Sequence, residues 1–346
     1  MTALSLEERV ELRSTARAAL AAGATDPWSQ IVELGWTAIH VDERFGGAGC
    51  GWSDLAVVAH ELGRALAPSP FLASAVLATT ALSLADDDTV ARLADGSAVG
   101  TVAFASTDGS YESARCAVTW DGTRLHGAAG FVLDADRADF VVVRALDPAG
   151  AVVAVVVDGP VAAEAVPTVD ETHRLFTVRF DGTAGRALDV DAGALFERTL
   201  SAGVVAAMAD ATAVAELSLE ATAAYAKERL QFGKPIGTFQ AVKHHCANMA
   251  VKVEGSRAAV RAGFAALDAD PDGWITAAAV ASSYAGPACA DVCGLAVRVH
   301  GGIGFTWEHD AHRHLKRAKL DEVLFGTPAW HRRRLADAVF PTIVRS

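Results

Sequence analysis

Positive charge is in short supply in this 346-residue chain: 30 Lys and Arg against 42 Asp and Glu leave it at −12. A chain without a cationic excess cannot neutralise a run of phosphates, so nucleic acid is not an expected partner. Cysteine is sparse, with five residues at 50, 116, 246, 289 and 293 and no CxxC pair. Cys289 and Cys293 stand four apart in an Ala-rich helical stretch and read as small buried residues rather than half of a metal site. Long apolar runs are missing as well. None reaches the ~18 residues needed to cross a bilayer, and the charged N-terminus MTALSLEERVELRSTARAAL lacks a signal-type apolar core. These absences fit a reduced, cytoplasmic setting. The Gly-rich run 46–51 (GGAGCG) lacks the Lys-Ser/Thr of a phosphate loop and reads as a turn, and no G-x-S-x-G elbow is present.

What is present is a globular composition, 51% hydrophobic and 21% charged, in a length that suits two or three domains. Residues 1–97 read as a helical domain. Leu6, Val10 and Leu12 begin one apolar face, Ile31, Leu34 and Trp36 begin another, and 55–66 (LAVVAHELGRAL) forms a third helix before Pro68 and Pro70. Residues 98–190 change period: TVAFAS, CAVTW, FVVVRAL, AVVAVVV and FTVRF are β-rich runs split by DG, DPAG, DGP and DGT turns, which predicts a compact β domain, a barrel or sandwich. Residues 191–346 return to helix, with expected helices near 194–229, 238–267, 272–299 and 310–324 forming a four-helix bundle. A Gly-rich break, HGGIGF at 300–305, parts the last two.

Helical domain, β domain and bundle follow one another in the order of the acyl-CoA dehydrogenase family, and the local motifs agree. KERLQFGKPIGTFQAVKHHCANMAVKVE (227–254) resembles one bundle signature of that family, and VRVHGGIGFTWEHDAHRHLKRAK (297–319) resembles another. ELGWTAIHVDERFGGAGCG, HELGRALAPSPF and LHGAAGFVLDADRAD resemble its first two domains, so the likeness covers essentially the whole chain.

That resemblance implies an α+β acyl-CoA dehydrogenase fold, FAD as cofactor, an acyl-CoA thioester as substrate and electron-transfer flavoprotein as acceptor. It also implies a flavin shared between protomers, its adenine-diphosphate end reaching a neighbour's bundle. Arg229, Gln231 and Gln240 would meet the pyrophosphate. Phe232 would wall a ring, and Gly301 and Gly302 would admit backbone close to the cofactor. Ile236, Phe239, Arg298 and Thr327 complete the set carried over.

The family reaction needs a carboxylate base. Its usual position, just before Gly326-Thr327, is held here by Phe325, and the alternative position on the first bundle helix falls at Gly203. No catalytic residue is therefore assigned. Asp321, Glu322 and Glu308 are the substitutes within reach in sequence, their alternative reading being surface charge for the first two and a structural acceptor for the third. In the β domain, AFASTDGSYES (103–113) replaces the family's Glu-Pro loop, and Phe131 and Leu133 stand where a Trp-x-Thr would meet the flavin. Leu133 cannot make that hydrogen bond.

The resemblance thus implies a chain of the non-catalytic type, lending its bundle to a second, catalytic acyl-CoA dehydrogenase chain in an α2β2 assembly. The other readings are a self-sufficient homo-oligomer with a displaced carboxylate and a non-enzymatic scaffold. His300, His309, His312, His314 and His331, beside Arg313, Arg317, Arg332, Arg333 and Arg334, read as a basic rim or subunit contact rather than a zinc site. His244 and His245 read as structural.

Overall fold

The structure is a computed structural model describing residues 3–21, 26–269 and 273–340. Helices α1 (Leu6–Ala21), α2 (Pro27–Glu33) and α3 (Trp52–Arg64) come first. A π-helical stretch, Leu72–Ala78, runs into α4 (Thr79–Leu84), and α5 (Thr89–Ala94) follows. Ser5 and Glu8 exchange hydrogen bonds between side chain and backbone and start α1 with a capping box. Asp26 caps α2 through Trp28 N, and Pro27 occupies the first turn where its missing N–H costs nothing.

Two expected apolar faces differ in outcome. α1 forms, but Leu6 is 79% exposed and Val10 57% exposed while Leu12 is half-buried, so its expected apolar face is only partly covered by the described residues. Ile31 and Trp36 are buried, yet α2 stops at Glu33, because Gly35 turns the chain at φ 69° and Trp36 enters the core from a short 3-10 turn. The run 46–51 is a turn as read. Gly47 is required there, since a Cβ would stand 2.1 Å from the Val41 carbonyl oxygen.

The β segment is one eight-stranded mixed sheet: β1 (Gly100–Ala103), β2 (Val118–Trp120), β3 (Arg124–Leu133), β4 (Phe140–Leu146), β5 (Val152–Asp158), β6 (Ala162–Val166), β7 (Leu175–Ala184) and β8 (Arg186–Ala187). Strand order is β6-β7-β3-β2-β4-β5-β8, with β1 parallel to β4. Polar turn residues set the registers. Asp121 accepts from Thr123 N and Arg124 N, both 2.8 Å, closing the β2–β3 hairpin with Gly122 at φ 103°. Asp147 does the same for β4–β5 through Ala149 N and Ala151 N. Val118, Leu125, Val141, Val143, Val155, Val157, Phe176 and Val178 point into one core. β6 and β8 carry no β-rich signal and were not expected.

The C-terminal helices are α6 (Ala192–Glu228), α7 (Gln240–Ala269), α8 (Trp274–His300), α9 (Ala311–Asp321) and α10 (Pro328–Val339). The expected start of the third bundle helix at 272 lies outside the described residues. α10 is a fifth helix beyond the four expected. α6 and α8 are long and apolar enough to cross a membrane by length and composition alone, but the apolar window of each is mostly buried in the protein's own interior.

Packing groups these elements into two compact units. One comprises Met1–Leu55 with Pro68–Gly203, the other Ala56–Ala67 with Val204–Ser346. In the second, α8 packs along α7, α9 and α10, and the C-terminal part of α3 joins α6 closely enough that a Cβ on Gly63 would meet Asp210 Cα at 2.8 Å.

Candidate functional site

At the end of α6 the backbone turns back on itself. Leu230–Gln231 pairs antiparallel with Lys234–Pro235, and the two residues between, Phe232 and Gly233, have φ of 52° and 77°. This is the left-handed pair that a tight hairpin needs, with Phe where Asn is favoured. Ile236 N donates to Arg229 O at 2.8 Å and anchors the hairpin base. Gly237 passes so near α6 that a Cβ would stand 2.8 Å from Ala226 O. α7 then begins at Gln240.

The Phe232 ring is 91% exposed and meets Phe239 edge-on at 6.1 Å, while Lys234 lies over the Phe239 ring at 4.7 Å. Arg229, Gln231 and Gln240 are exposed. Among the described residues, none of these three side chains has a hydrogen-bond or ion-pair partner.

Tyr225, one turn before the end of α6, stacks on His300 at 4.6 Å, and its hydroxyl donates to His300 O at 3.4 Å. The hairpin root and the Gly-rich break are thereby brought together. Gly301 ends α8 at φ 66°, and a Cβ on Gly301 or Gly302 would meet nothing within 4 Å. Gly304 is the one packed tightly, 2.8 Å from Val297 O by the same measure. Arg298, Phe305 and Trp307 are exposed around this turn. Ile236 and Phe239 are half-buried.

Such a surface suits a phosphate-bearing ligand with an aromatic base. It offers a guanidinium, two amides, the first N–H groups of a 30-residue helix, an exposed phenyl ring and open backbone. Thr327 is placed differently: its hydroxyl accepts from Trp330 N at 3.2 Å and caps α10.

The positions of interest for a base are buried and carry no proton acceptor. Phe325 is buried at φ 66°, its carbonyl accepting from His331 Nε2 at 3.1 Å, and Gly203 is buried within α6. The surface reading of Asp321 is corrected. Asp321 is fully buried, 3.9 Å from Arg317, and its charge helps raise the thiols of Cys289 and Cys293. Glu322 pairs with Lys319 at 2.8 Å, and Glu308 is exposed. Leu133 is buried, and Phe131 sits at φ 54° in a bulge of β3 where a Cβ on Gly130 would stand 2.8 Å from Ser106 O.

The basic rim is corrected too. Arg313, Arg332 and Arg333 are exposed, but His300, His314, Arg317 and His331 are interior. Burial pulls His314 and His331 down to about 4, which keeps them neutral. His314 Nδ1 meets Ser218 Oγ at 3.2 Å. On α7, His244 is exposed and His245 half-buried. The expected small buried cysteines are confirmed at Cys289 and Cys293, whose thiols burial pushes up to about 11 and about 12. All five cysteines are free.

Sequence reading missed the charged interior of this unit. Arg317 grips Asp210 with Nε at 3.0 Å and Nη2 at 2.5 Å. Glu216 accepts from Arg257 Nε at 2.5 Å and contacts His60 Nε2 at 3.0 Å. Burial opposes the charge on Glu216, but hydrogen bonds and charges of His60 and Arg257 outweigh it and hold the carboxyl at about 2. His60 is likewise desolvated, yet Glu216 and Glu61 raise it above its ordinary value. Alternating Asp, Glu and Arg on long Ala-rich helices gave no sign of which charges face inward.

Comparison with known proteins agrees with this architecture. Residues 6–92 match the family description "Acyl-CoA dehydrogenase, N-terminal domain", and residues 193–340 match "Acyl-CoA dehydrogenase, C-terminal domain". The chain is 33% identical over 321 residues to acyl-CoA dehydrogenase IpdE2 of Mycolicibacterium smegmatis, covering 90% of this chain and 88% of that protein. It is 36% identical over 325 residues to acyl-CoA dehydrogenase FadE34 of Mycobacterium tuberculosis, covering 90% of this chain but 42% of the relative. A solved variant of the Tcur3481–Tcur3483 steroid ACAD superposes with a TM-score of 0.86 at 28% identity, covering 96% of this chain and 98% of that one. The chain belongs to the acyl-CoA dehydrogenase family, flavoprotein oxidoreductases that act on the CH–CH bond of acyl-CoA thioesters.

Proposed function

We propose that this chain is the non-catalytic-type subunit of a heteromeric, FAD-dependent acyl-CoA dehydrogenase. Its hairpin end holds the adenine-diphosphate half of a flavin whose ring and base belong to a second, catalytic chain. FAD, when bound, supplies the hydride acceptor. The residues of this chain bind and orient it: Arg229, Gln231 and Gln240 at the pyrophosphate, Phe232, Ile236 and Phe239 as the apolar wall, and Gly301 and Gly302 as open backbone. Arg298 and Thr327 complete the proposed set, Thr327 also holding the α10 cap.

The observation that carries this reading is a contrast within one chain. Both customary base positions, Phe325 and Gly203, are buried and without a carboxylate, while the hairpin end is exposed and its polar side chains are uncommitted among the described residues. Asp321 is buried 3.9 Å from Arg317, which supports a structural role for it over that of a substitute base. The two-name steroid ACAD supports a two-chain assembly acting on a steroid-derived acyl-CoA. FadE34 supports it in another way, as a relative in which a chain of this length is less than half of the polypeptide. Electron-transfer flavoprotein is the proposed acceptor, and the setting proposed is cytoplasmic.

The test is enoyl-CoA formation by the chain alone and by the chain co-expressed with a relative that carries Glu at one of the base positions. No product alone and product from the pair supports the proposal. Product from the chain alone overturns it.

A further inference from the structure

Tyr225 holds both walls of the hairpin-end surface. Its backbone oxygen accepts from Arg229 N at 2.8 Å, and Arg229 O in turn accepts from Ile236 N at 2.8 Å, so the hairpin root is tied to it. Its side chain reaches the other wall. The ring stacks on His300 at 4.6 Å with 28° between the planes, and the hydroxyl donates to His300 O at 3.4 Å. That oxygen belongs to the peptide leading into Gly301.

His300 is fixed on its own helix as well. Nδ1 lies 2.7 Å from Ala296 O, and because a carbonyl only accepts, the ring proton sits on Nδ1. Burial, the largest influence, pulls the ring below its ordinary value; the Ala296 hydrogen bond opposes this and nearby His309 adds to it, so His300 is neutral at pH 7. The His309 ring stands 4.3 Å from His300, and His309 Nδ1 accepts from Ala311 N at 3.0 Å, where α9 begins. Three rings therefore link the end of α6, the end of α8 and the start of α9. Directly after His300, Gly301 has φ 66° and ψ −141°, a pair that essentially only glycine adopts.

A pyrophosphate is short, so donors on two walls meet it together only over a narrow range of separations. Side chains that lock this separation in advance lower the cost of binding. Granted the flavin half-site proposed above, on which this rests, we propose that Tyr225 is its positioning residue, acting through His300. Tyr225 sets the distance between the Arg229 wall and the Gly301–Gly302 wall, and His300 carries that setting into the Gly301 backbone. The same rings serving only as packing would support the fold without coupling to Gly301.

The test uses the complex with a relative that carries Glu at a base position, stripped of flavin and titrated with FAD by flavin fluorescence. Tyr225→Leu and Gly301→Ala should each weaken FAD about tenfold, the first by losing stack and hydrogen bond, the second by straining the backbone. The double variant should also stop near about tenfold, because both changes break one link, whereas independent lesions would multiply to about a hundredfold. Tyr225→Phe keeps the ring and loses only the donor, so about threefold is expected, and it takes the place of Tyr225→Leu in the cycle where that variant does not fold. Losses that multiply overturn the proposal, as does FAD binding that neither Tyr225 variant changes. Arg229→Ala separates this from the half-site itself. Unchanged FAD affinity in that variant overturns both, and weakened affinity there with no response at Tyr225 overturns only the positioning role.

Discussion

The helical unit uses its charged and polar side chains in two opposite ways. In its interior, Arg317 grips Asp210, and buried Glu216 is held at hydrogen-bond distance by half-buried Arg257 and His60. At its hairpin end, Arg229, Gln231 and Gln240 are exposed and engage nothing among the described residues. The first arrangement fixes how α3, α6, α7 and α9 meet. The second contributes almost nothing to holding the chain together, because exposed unpaired charges are nearly neutral to stability. Side chains that do not support the fold are left available for a ligand, and the difference between stability and flavin content separates the two uses experimentally.

The largest effect is expected at the interior. Asp210→Ala leaves Arg317 buried without its bidentate partner and should lower unfolding stability by about 3–5 kcal/mol in urea denaturation. Arg229→Ala should do the reverse, changing stability by less than about 0.5 kcal/mol while sharply lowering the FAD content of the two-chain complex. Equal stability losses in these two variants would erase the contrast.

The Glu216 cluster adds a pH dependence whose sign follows from its shifts. The carboxyl is held at about 2 against an ordinary 4.5, so its stabilisation is present above about 4.5 and is lost as pH falls towards 2. His60 is raised, so its share is complete below 6.5 and is lost as pH climbs through its raised value. Urea midpoints measured across pH should therefore fall off on both sides, and Glu216→Gln should flatten the acid limb. The smallest effect belongs to Phe232. Asn accepts φ near 52° more readily than Phe, so Phe232→Asn should raise stability by about 0.5–1 kcal/mol while weakening flavin retention in the complex.

The sequence was most legible where pattern and turn chemistry agree. The β-rich runs beside the DG and DPAG turns became β2, β4 and β5, because alternation and Asx turns are local properties. The long bundle helices were legible within a few residues. β6 was not, since Ala-Ala-Glu-Ala-Val has helical composition and becomes a strand only by pairing with β7. The burial of Asp321 was also hidden, because a carboxylate four residues after Arg317 looks like an exposed helix pair until the fold turns that face inward. At the hairpin end, the sequence offered candidate residues but not their geometry, as Phe at a left-handed turn position runs against local preference.

The most direct test is the FAD-to-chain ratio of this protein purified alone and then with its catalytic partner. The account predicts a nearly colourless protein alone, and one FAD for each pair of chains once the two are combined. One FAD per chain in the protein purified alone would contradict it.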